Sequence, residues 1–369
     1  MTEHDNRDDV IALDGVTLTA HIDAGSVAAL RDLHLSIGRG RVLGLVGESG
    51  AGKSMLARLL SGLLPPNFHV SSGSMRFGGR DLLAMRAHER RELLGRDIAF
   101  IPQEPLTALN PLWTIGDTFA EHLARIGVPR RERVAKARDA LAAVHLPVPE
   151  QILKRYPHQL SGGQCQRVLI AMAFASEPKL LIADEPTTAL DVVTQTRVMR
   201  MLAELQRRSA TAVLLITHDL RLAAHVCDDV AVMYAGDLVE YGPARDVLEQ
   251  PRHPYTRALK FASPDLEGPR RKLPVLARQM PGLSLLASMR GCRFAPRCAT
   301  ADASCAAHVQ IRVADNGHRV ACASPCEHAV SNEHDEAALP LPQASESERP
   351  VAELREASLV YTTRSGVFG

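Results

Sequence analysis

Residues Arg41 to Val46 form a short apolar run after the turn-like Gly38, Arg39 and Gly40, and they lead straight into Gly47, Glu48, Ser49, Gly50, Ala51, Gly52, Lys53 and Ser54. This order of strand, glycine loop and helix severely limits the fold. Glycines at the spacing G-x-x-x-x-G-K-[ST] let successive backbone N–H groups turn toward phosphate oxygens, at the positive end of a helix dipole. Lys53 would then reach the β and γ phosphates, and Ser54 would ligate Mg²⁺. The next stretch, Met55 to Leu64, is rich in helix formers and meets Pro65 and Pro66, which predicts a helix ending there.

Two further apolar runs end in polar chemistry. Leu180 to Ala183 precedes Asp184, Glu185 and Pro186, and Ala212 to Thr217 precedes His218 and Asp219. Unalternating apolar runs of this length read as strands buried on both faces of a parallel sheet. Ligands of open α/β sheets bind at the carboxyl ends of the strands, so Asp184 is placed to hold a Mg²⁺ shell and Glu185 to polarise an attacking water. Leu160, Ser161, Gly162, Gly163 and Gln164 precede a helical stretch from Gln166 to Ala175, with Ser161 at an N-cap-like position. This is a second anion-binding helix start. One nucleotide held in one pocket does not need both, so the second is expected to serve a nucleotide held mainly by another subunit.

Composition removes competing classes. With 369 residues, 46% of them apolar and 23% charged, the chain is globular in character and long enough for more than one domain. A net charge of +1 and only 4% aromatic residues give neither the basic field nor the stacking platforms expected of a nucleic-acid binder. No window of about 18 uninterrupted apolar residues exists; the best, Val168 to Ala183, is broken by Glu177, Pro178 and Lys179. The first residues are acidic and polar and lack the layout of a signal peptide, which predicts a cytoplasmic location.

Together these residues resemble the nucleotide-binding domain of ABC transporters over residues 8–265, with a helical subdomain at about 104–176. The resemblance implies an α/β fold of the P-loop NTPase type, binding ATP with Mg²⁺. Gly47, Glu48, Ser49, Gly50, Ala51, Gly52, Lys53 and Ser54 look like Walker A, and Asp184 and Glu185 look like Walker B and the catalytic glutamate. Gln103 looks like the Q-loop residue, which in the family touches Mg²⁺ and relays nucleotide state to the membrane subunits. Ser161, Gly162, Gly163 and Gln164 look like the signature motif, Asp191 like the D-loop, and His218 like the switch histidine. The implied mechanism is two such domains packed head to tail around two ATP molecules, with closure driving a permease and hydrolysis resetting it.

Within that family, the stretch from Gln103 to Pro111, the segment His253 to Thr256 and the tail Gly291 to Cys298 look like ATP-binding subunits of oligopeptide and dipeptide permeases. That subgroup also includes importers of nickel and other small solutes. The expected partners are two transmembrane permease subunits, a second ABC ATPase domain and, indirectly, an extracytoplasmic solute-binding protein, with no nucleic acid. The expected location is the cytoplasmic face of the membrane, bound peripherally. A soluble ABC ATPase acting on ribosomes or DNA is a competing class, as is a nucleotide-regulated metal-binding module. The short stretch between Lys53 and Asp184 and the intact Glu185 and His218 argue against them. Two positions depart from the family. Ala20 stands where an aromatic usually stacks on adenine, with His21 beside it as a substitute, and Cys165 stands where a basic residue is common. Cys165 reads as a packing variant, or as a reactive thiol near a helix start.

Five of the seven cysteines lie between Cys292 and Cys326. The spacings of Cys292, Cys298, Cys305 and Cys322 are not those of a zinc finger or ribbon. Four thiolates in a segment with little apolar periodicity point to a soft metal centre supporting a small C-terminal module, residues 266–330. The pattern resembles permease subunits that hold a four-iron four-sulfur cluster, while zinc and unligated thiols stay open. Residues 331–350 read as an acidic, proline- and serine-containing linker. Val351 to Gly366 align without gaps on Val10 to Gly25, with Tyr361 at the place of Ala20, which predicts that residues 351–369 are the truncated start of a second nucleotide-binding domain or, failing that, a disordered tail.

Overall fold

The computed structural model describes residues 8–326 apart from 24, 189, 263–275, 277 and 316. The expected linker and truncated second domain lie outside the described residues. In chain order the strands are β1 (Asp9–Ile22), β2 (Gly25–Gly38), β3 (Val42–Val46), β4 (Phe68–Phe77), β5 (Arg80–Asp81), β6 (Ile98–Ile101), β7 (Leu180–Asp184), β8 (Ala212–Ile216), β9 (Asp229–Tyr234), β10 (Asp237–Pro243), β11 (Arg312–Asp315) and β12 (His318–Val320).

Their order in the sheet is β5-β4-β1-β2-β10-β9-β3-β8-β7-β6, and β12 pairs with β10 and β11. From β9 through β3, β8 and β7 to β6 every pairing is parallel. On the other side β1 pairs antiparallel with β2 and β4. The apolar runs of β7 and β8 behave as the sequence predicts, since all five residues of each strand are buried. Alternate side chains enter two different cores. Leu43, Leu45, Leu180, Ile182, Leu214 and Ile216 pack on one face with the Lys53–Leu60 helix, and Leu181, Ala183, Val213 and Leu215 pack on the other with the Gly162–Phe174 helix. Burying each Leu or Ile is worth about 1.5–3 kcal/mol, so both faces must be covered for these strands to persist.

Between β6 and β7 every described element is helical. The Ile115–Arg125 helix starts at a capping box in which Thr114 Oγ1 accepts from Asp117 N at 3.1 Å, and its Ile115, Phe119 and Leu123 are buried four residues apart. These elements lie within the region expected to be the helical subdomain. No described helix is long and apolar enough to cross a membrane.

Two sequence-based boundaries move. The helix after the glycine loop spans Lys53–Leu60 rather than Met55–Leu64. It ends before the prolines because Ser61 Oγ donates back to Ala57 O at 2.8 Å and Gly62 takes a left-handed φ of 66°, a backbone that glycine adopts without strain. The helix expected from Gln166 starts at Gly162, so Gly162, Gly163 and Gln164 form its first turn.

The expectation of a separate cysteine-rich module is also revised. The described residues from 276 to 326 belong to the same compact unit as the described residues before them. Phe294 and Leu286 are buried in the core that contains Tyr234 and Tyr255, and β12 extends the sheet by pairing Val320 with Glu240. The segment therefore borrows the main core instead of depending on its own.

This junction holds a buried polar network. Glu240, fully buried, accepts from Arg252 N at 2.7 Å and from His253 N at 3.1 Å, and its Oε1 lies 2.7 Å from His318 Nε2. His253 Nδ1 accepts from Tyr255 N at 3.1 Å. Burial lowers the pKa of His253 from 6.5 to about 4, although the charge of Glu240 pulls the other way. Above about pH 6.5 the ring is neutral in both folded and unfolded chains. As the pH falls toward 4 the unfolded chain takes up a proton that the native one resists, and stability is lost by up to about 3 kcal/mol. The melting temperature of the wild type is expected to fall more steeply between pH 6.5 and 4 than that of His253→Asn; equal slopes would clear His253 of that role.

Candidate nucleotide site

Three parallel strands end in register. Leu45 of β3 lies opposite Ile216 of β8, which lies opposite Asp184 of β7. The residues that follow these three positions are therefore delivered to one edge of the sheet. Thr217 N donates to Leu45 O at 3.2 Å and Glu185 N to Ile216 O at 3.0 Å, which extends the alignment one residue into the loops.

The glycine loop is held close to β9 and to the turn that follows it. A Cβ on Gly47, whose φ is 152°, would stand 2.4 Å from Met233 O. Gly236 N donates to Ala51 O at 2.8 Å. At the loop's end Gly52 caps the helix with a φ of 106°. Lys53 is buried, and its Nζ donates to Gly47 O at 2.8 Å and Glu48 O at 3.0 Å, inside the curve of the loop. Burial lowers its pKa, opposed by Glu185, Asp184 and Glu48.

Next to it Asp184 is 7% exposed, and its carboxyl pKa is raised by burial, partly offset by a hydrogen bond from the Ser54 hydroxyl. Its Oδ1 is buried with no hydrogen-bond partner. An orphaned buried carboxylate oxygen beside a serine hydroxyl matches the all-oxygen coordination that Mg²⁺ takes, so Asp184 and Ser54 fit that ion.

Glu185 gathers the remaining chemistry. Its Oε2 accepts from Gln103 Nε2 at 3.1 Å and from Thr188 Oγ1 at 2.8 Å, and His218 Nδ1 lies 3.2 Å away. Its φ of 46° is left-handed, a conformation that costs a non-glycine residue about 1–3 kcal/mol and is retained where the surroundings fix it. The structure thus brings together the loop Gly47 to Ser54, Gln103, Asp184, Glu185 and His218, as expected from the sequence. Thr188 was missed; the signal available was its position three residues after Glu185, where a turn returns a side chain to its predecessor.

Residues 161–164 form a separate helix start. Ser161 Oγ accepts from Gln164 N at 3.3 Å, and Gln164 Oε1 accepts from Ser161 N at 3.0 Å, a reciprocal cap. A Cβ on Gly163 would meet Thr194 Cγ2 at 3.0 Å, whereas one on Gly162 would meet nothing within 4 Å. Asp191 caps the Val192–Ser209 helix by accepting from Thr194 N at 3.0 Å, and hydrogen bonds from the Thr194 hydroxyl and then its amide lower its pKa. Gly163 and Asp191 are therefore neighbours through Thr194. Cys165 is fully buried, its Sγ donates to Pro157 O at 3.5 Å and burial raises its pKa. It is a packing residue, and the reactive-thiol alternative is withdrawn. Ala20 is fully buried in β1, and the His21 ring stacks on His69 with centroids 4.7 Å apart.

Comparison with known proteins agrees with this geometry. Residues 30–188 match the ABC transporter family model, and residues 239–305 match the model for the C-terminal region of oligopeptide/dipeptide transporters. The chain is 44% identical over 313 residues to the probable D,D-dipeptide transport ATP-binding protein of Escherichia coli K12, covering 83% of this chain and 94% of that one. It is 43% identical over 304 residues to the oligopeptide transport ATP-binding protein of the same organism, covering 82% and 89%. The dipeptide transport ATP-binding protein of Bacillus subtilis 168 is 43% identical over 276 residues, covering 74% and 82%. Among solved structures, the dimeric post-hydrolysis form of the ATP-binding cassette MJ0796 bound to ADP and Pi aligns with a TM-score of 0.57 at 27% identity, over 64% of this chain and 99% of that one. With glycine loop, paired carboxylates, glutamine and histidine assembled at one sheet edge, the chain belongs to the ATP-binding ATPases of the ABC transporter family, in the oligopeptide and dipeptide transport branch.

Proposed function

We propose that this chain hydrolyses ATP to drive import of dipeptides or oligopeptides, working peripherally at the cytoplasmic face of a membrane. Its partners are two permease subunits, a second ABC ATPase domain and, indirectly, a solute-binding protein. The observation that carries the hydrolytic part is the convergence of Gln103, Thr188 and His218 on one oxygen of Glu185, beside the orphaned oxygen of Asp184. The names of the relatives support the solute class.

In this reading the N–H groups of residues 47–54 and Lys53 hold the phosphates. Ser54 and Asp184, with Gln103 near them, would hold Mg²⁺, which when bound would supply charge neutralisation at the β and γ phosphates. Glu185 orients and deprotonates the attacking water, and His218 and Gln103 fix the orientation of its carboxylate. Ser161, Gly162, Gly163, Gln164 and Asp191 are the second face, offered to a nucleotide held by the partner ATPase.

Cys292, Cys298, Cys305 and Cys322 fit a multi-iron cluster by donor chemistry. Cys292 N donates to Cys305 O at 2.9 Å, which keeps those two residues adjacent, and burial pushes the pKa of Cys322 up to about 11. Among the described residues no group of three His, Cys, Asp or Glu side chains is placed to hold a metal ion, so the case for a cluster rests on donor chemistry alone. The four cysteines would hold a four-iron four-sulfur cluster, a centre capable of one-electron chemistry and suited to support or regulation.

Reconstitution with the permease, partner ATPase and binding protein tests the solute. Hydrolysis stimulated by peptide-loaded binding protein is expected. Stimulation by nickel alone would move the assignment to metal import, and indifference to both would point to a non-transport ATPase.

A further inference from the structure

The C-terminal segment reaches the glycine loop through an ion pair that the reaction described above does not use. Arg297, 5% exposed, grips Glu48 with both ends of its guanidinium: Nη1 donates to Oε2 at 2.6 Å and Nη2 to Oε1 at 3.1 Å. Its guanidinium also lies 5.6 Å from the centroid of the Tyr234 ring. The Glu48 amide donates to the hydroxyl of Tyr255 at 2.8 Å, and Tyr255 is fully buried against Tyr234 and Phe294. Four residues before Arg297, Arg293 Nη1 donates to Ala235 O at 2.6 Å, beside the Gly236 amide that holds Ala51 O. The segment thus fastens both sides of the loop.

Glu48 is a carboxylate placed among amides that must receive a polyanion. It stands close enough to Lys53 for its charge to act on that ammonium. A bidentate arginine both neutralises the carboxylate and fixes its direction. We propose that Arg297 is a positioning residue for nucleotide binding: by holding Glu48 aside and neutralised, it sets the affinity of the glycine loop for ATP, and the C-terminal segment thereby tunes the ATPase. The inference rests on the loop being the ATP site.

The test is titration of the full chain with trinitrophenyl-ATP and Mg²⁺, with the melting temperature recorded for each variant. Arg297→Gln is expected to weaken binding about tenfold, equivalent to about 1.4 kcal/mol. In a Glu48→Gln background, where no charge is left to control, the same substitution is expected to weaken it less than about twofold. An equal loss in both backgrounds, or no loss in either, overturns the proposal, because a merely structural arginine would not depend on the charge of Glu48. Should Arg297→Gln fail to fold, Arg297→Lys carries the test: it keeps the charge, loses the fork, and is expected to weaken binding about threefold in the wild-type background and not in Glu48→Gln. Lys53→Ala separates the two levels: unchanged binding in that variant would remove the loop from the nucleotide site and the proposal with it, whereas weakened binding there together with an equal Arg297→Gln loss in both backgrounds overturns the proposal alone.

Discussion

A Glu185→Gln chain, assembled with its membrane partners, is expected to hydrolyse ATP about 10²–10⁴-fold more slowly than wild type while binding MgATP with similar affinity. The amide is nearly isosteric with the carboxylate and keeps one oxygen for the Thr188 hydroxyl and Gln103 amide that Glu185 Oε2 serves in the structure. It cannot take a proton from water at neutral pH. The fold should tolerate the change, because the left-handed backbone at Glu185 is held by its amide bond to Ile216 O and not by the side chain. Single-turnover hydrolysis and nucleotide titration on the same preparation check both halves. Loss of binding together with hydrolysis would mean that Glu185 organises the pocket and would leave the base unassigned.

Lys53→Ala is expected to act at the earlier step and weaken ATP binding by about 10- to 150-fold, since each hydrogen bond to a charged group contributes about 1.5–3 kcal/mol. The effect is large because Lys53 is surrounded by like charges from the point of view of the phosphates: Asp184, Glu185 and Glu48 all act on it. Without the ammonium these carboxylates would face the triphosphate uncompensated. Burial already disfavours the charged lysine, so the site holds it as a cation through those same carboxylates and through the carbonyls of Gly47 and Glu48. Titration with and without Mg²⁺ checks the result. An affinity within twofold of wild type in both conditions would place the triphosphate elsewhere.

These two variants differ in how visible they were in the sequence. Lys53 sits in an eight-residue pattern whose geometry is local: glycines, one lysine and one serine between a buried strand and a helix. Glu185 was legible through its neighbour Asp184 and the apolar run before them. The partners of Glu185 were legible only as separate motifs. Gln103 lies 82 positions upstream, and nothing in its own stretch states where its amide points. The segment His253 to Thr256 marked the branch of the family, yet its physical work, placing the Tyr255 hydroxyl on the Glu48 amide, was invisible.

The errors have the same origin. The helix after the glycine loop stops at Leu60 because Ser61 and Gly62 end it locally, a weaker signal than the two prolines that follow. The cysteine-rich segment was expected to form a separate small module because it lacks apolar periodicity. In the structure Phe294, Leu286 and Val320 find their partners on β9, β10 and the helix Pro254–Ala262, elements whose apolar surface was already accounted for by the main domain.

What the sequence by itself determined is the set of strand ends that carry chemistry, since an unalternating apolar run followed by a polar residue fixes both the burial of the strand and the edge at which the side chain emerges. What only the tertiary structure decided is which of those ends meet: Asp184 with Ser54, Glu185 with Gln103 and His218, and Glu48 with Arg297, 249 positions apart. The periodicity of a strand is a short-range property of its residues, whereas register and crossover depend on how distant segments share a core, and no local pattern encodes that choice.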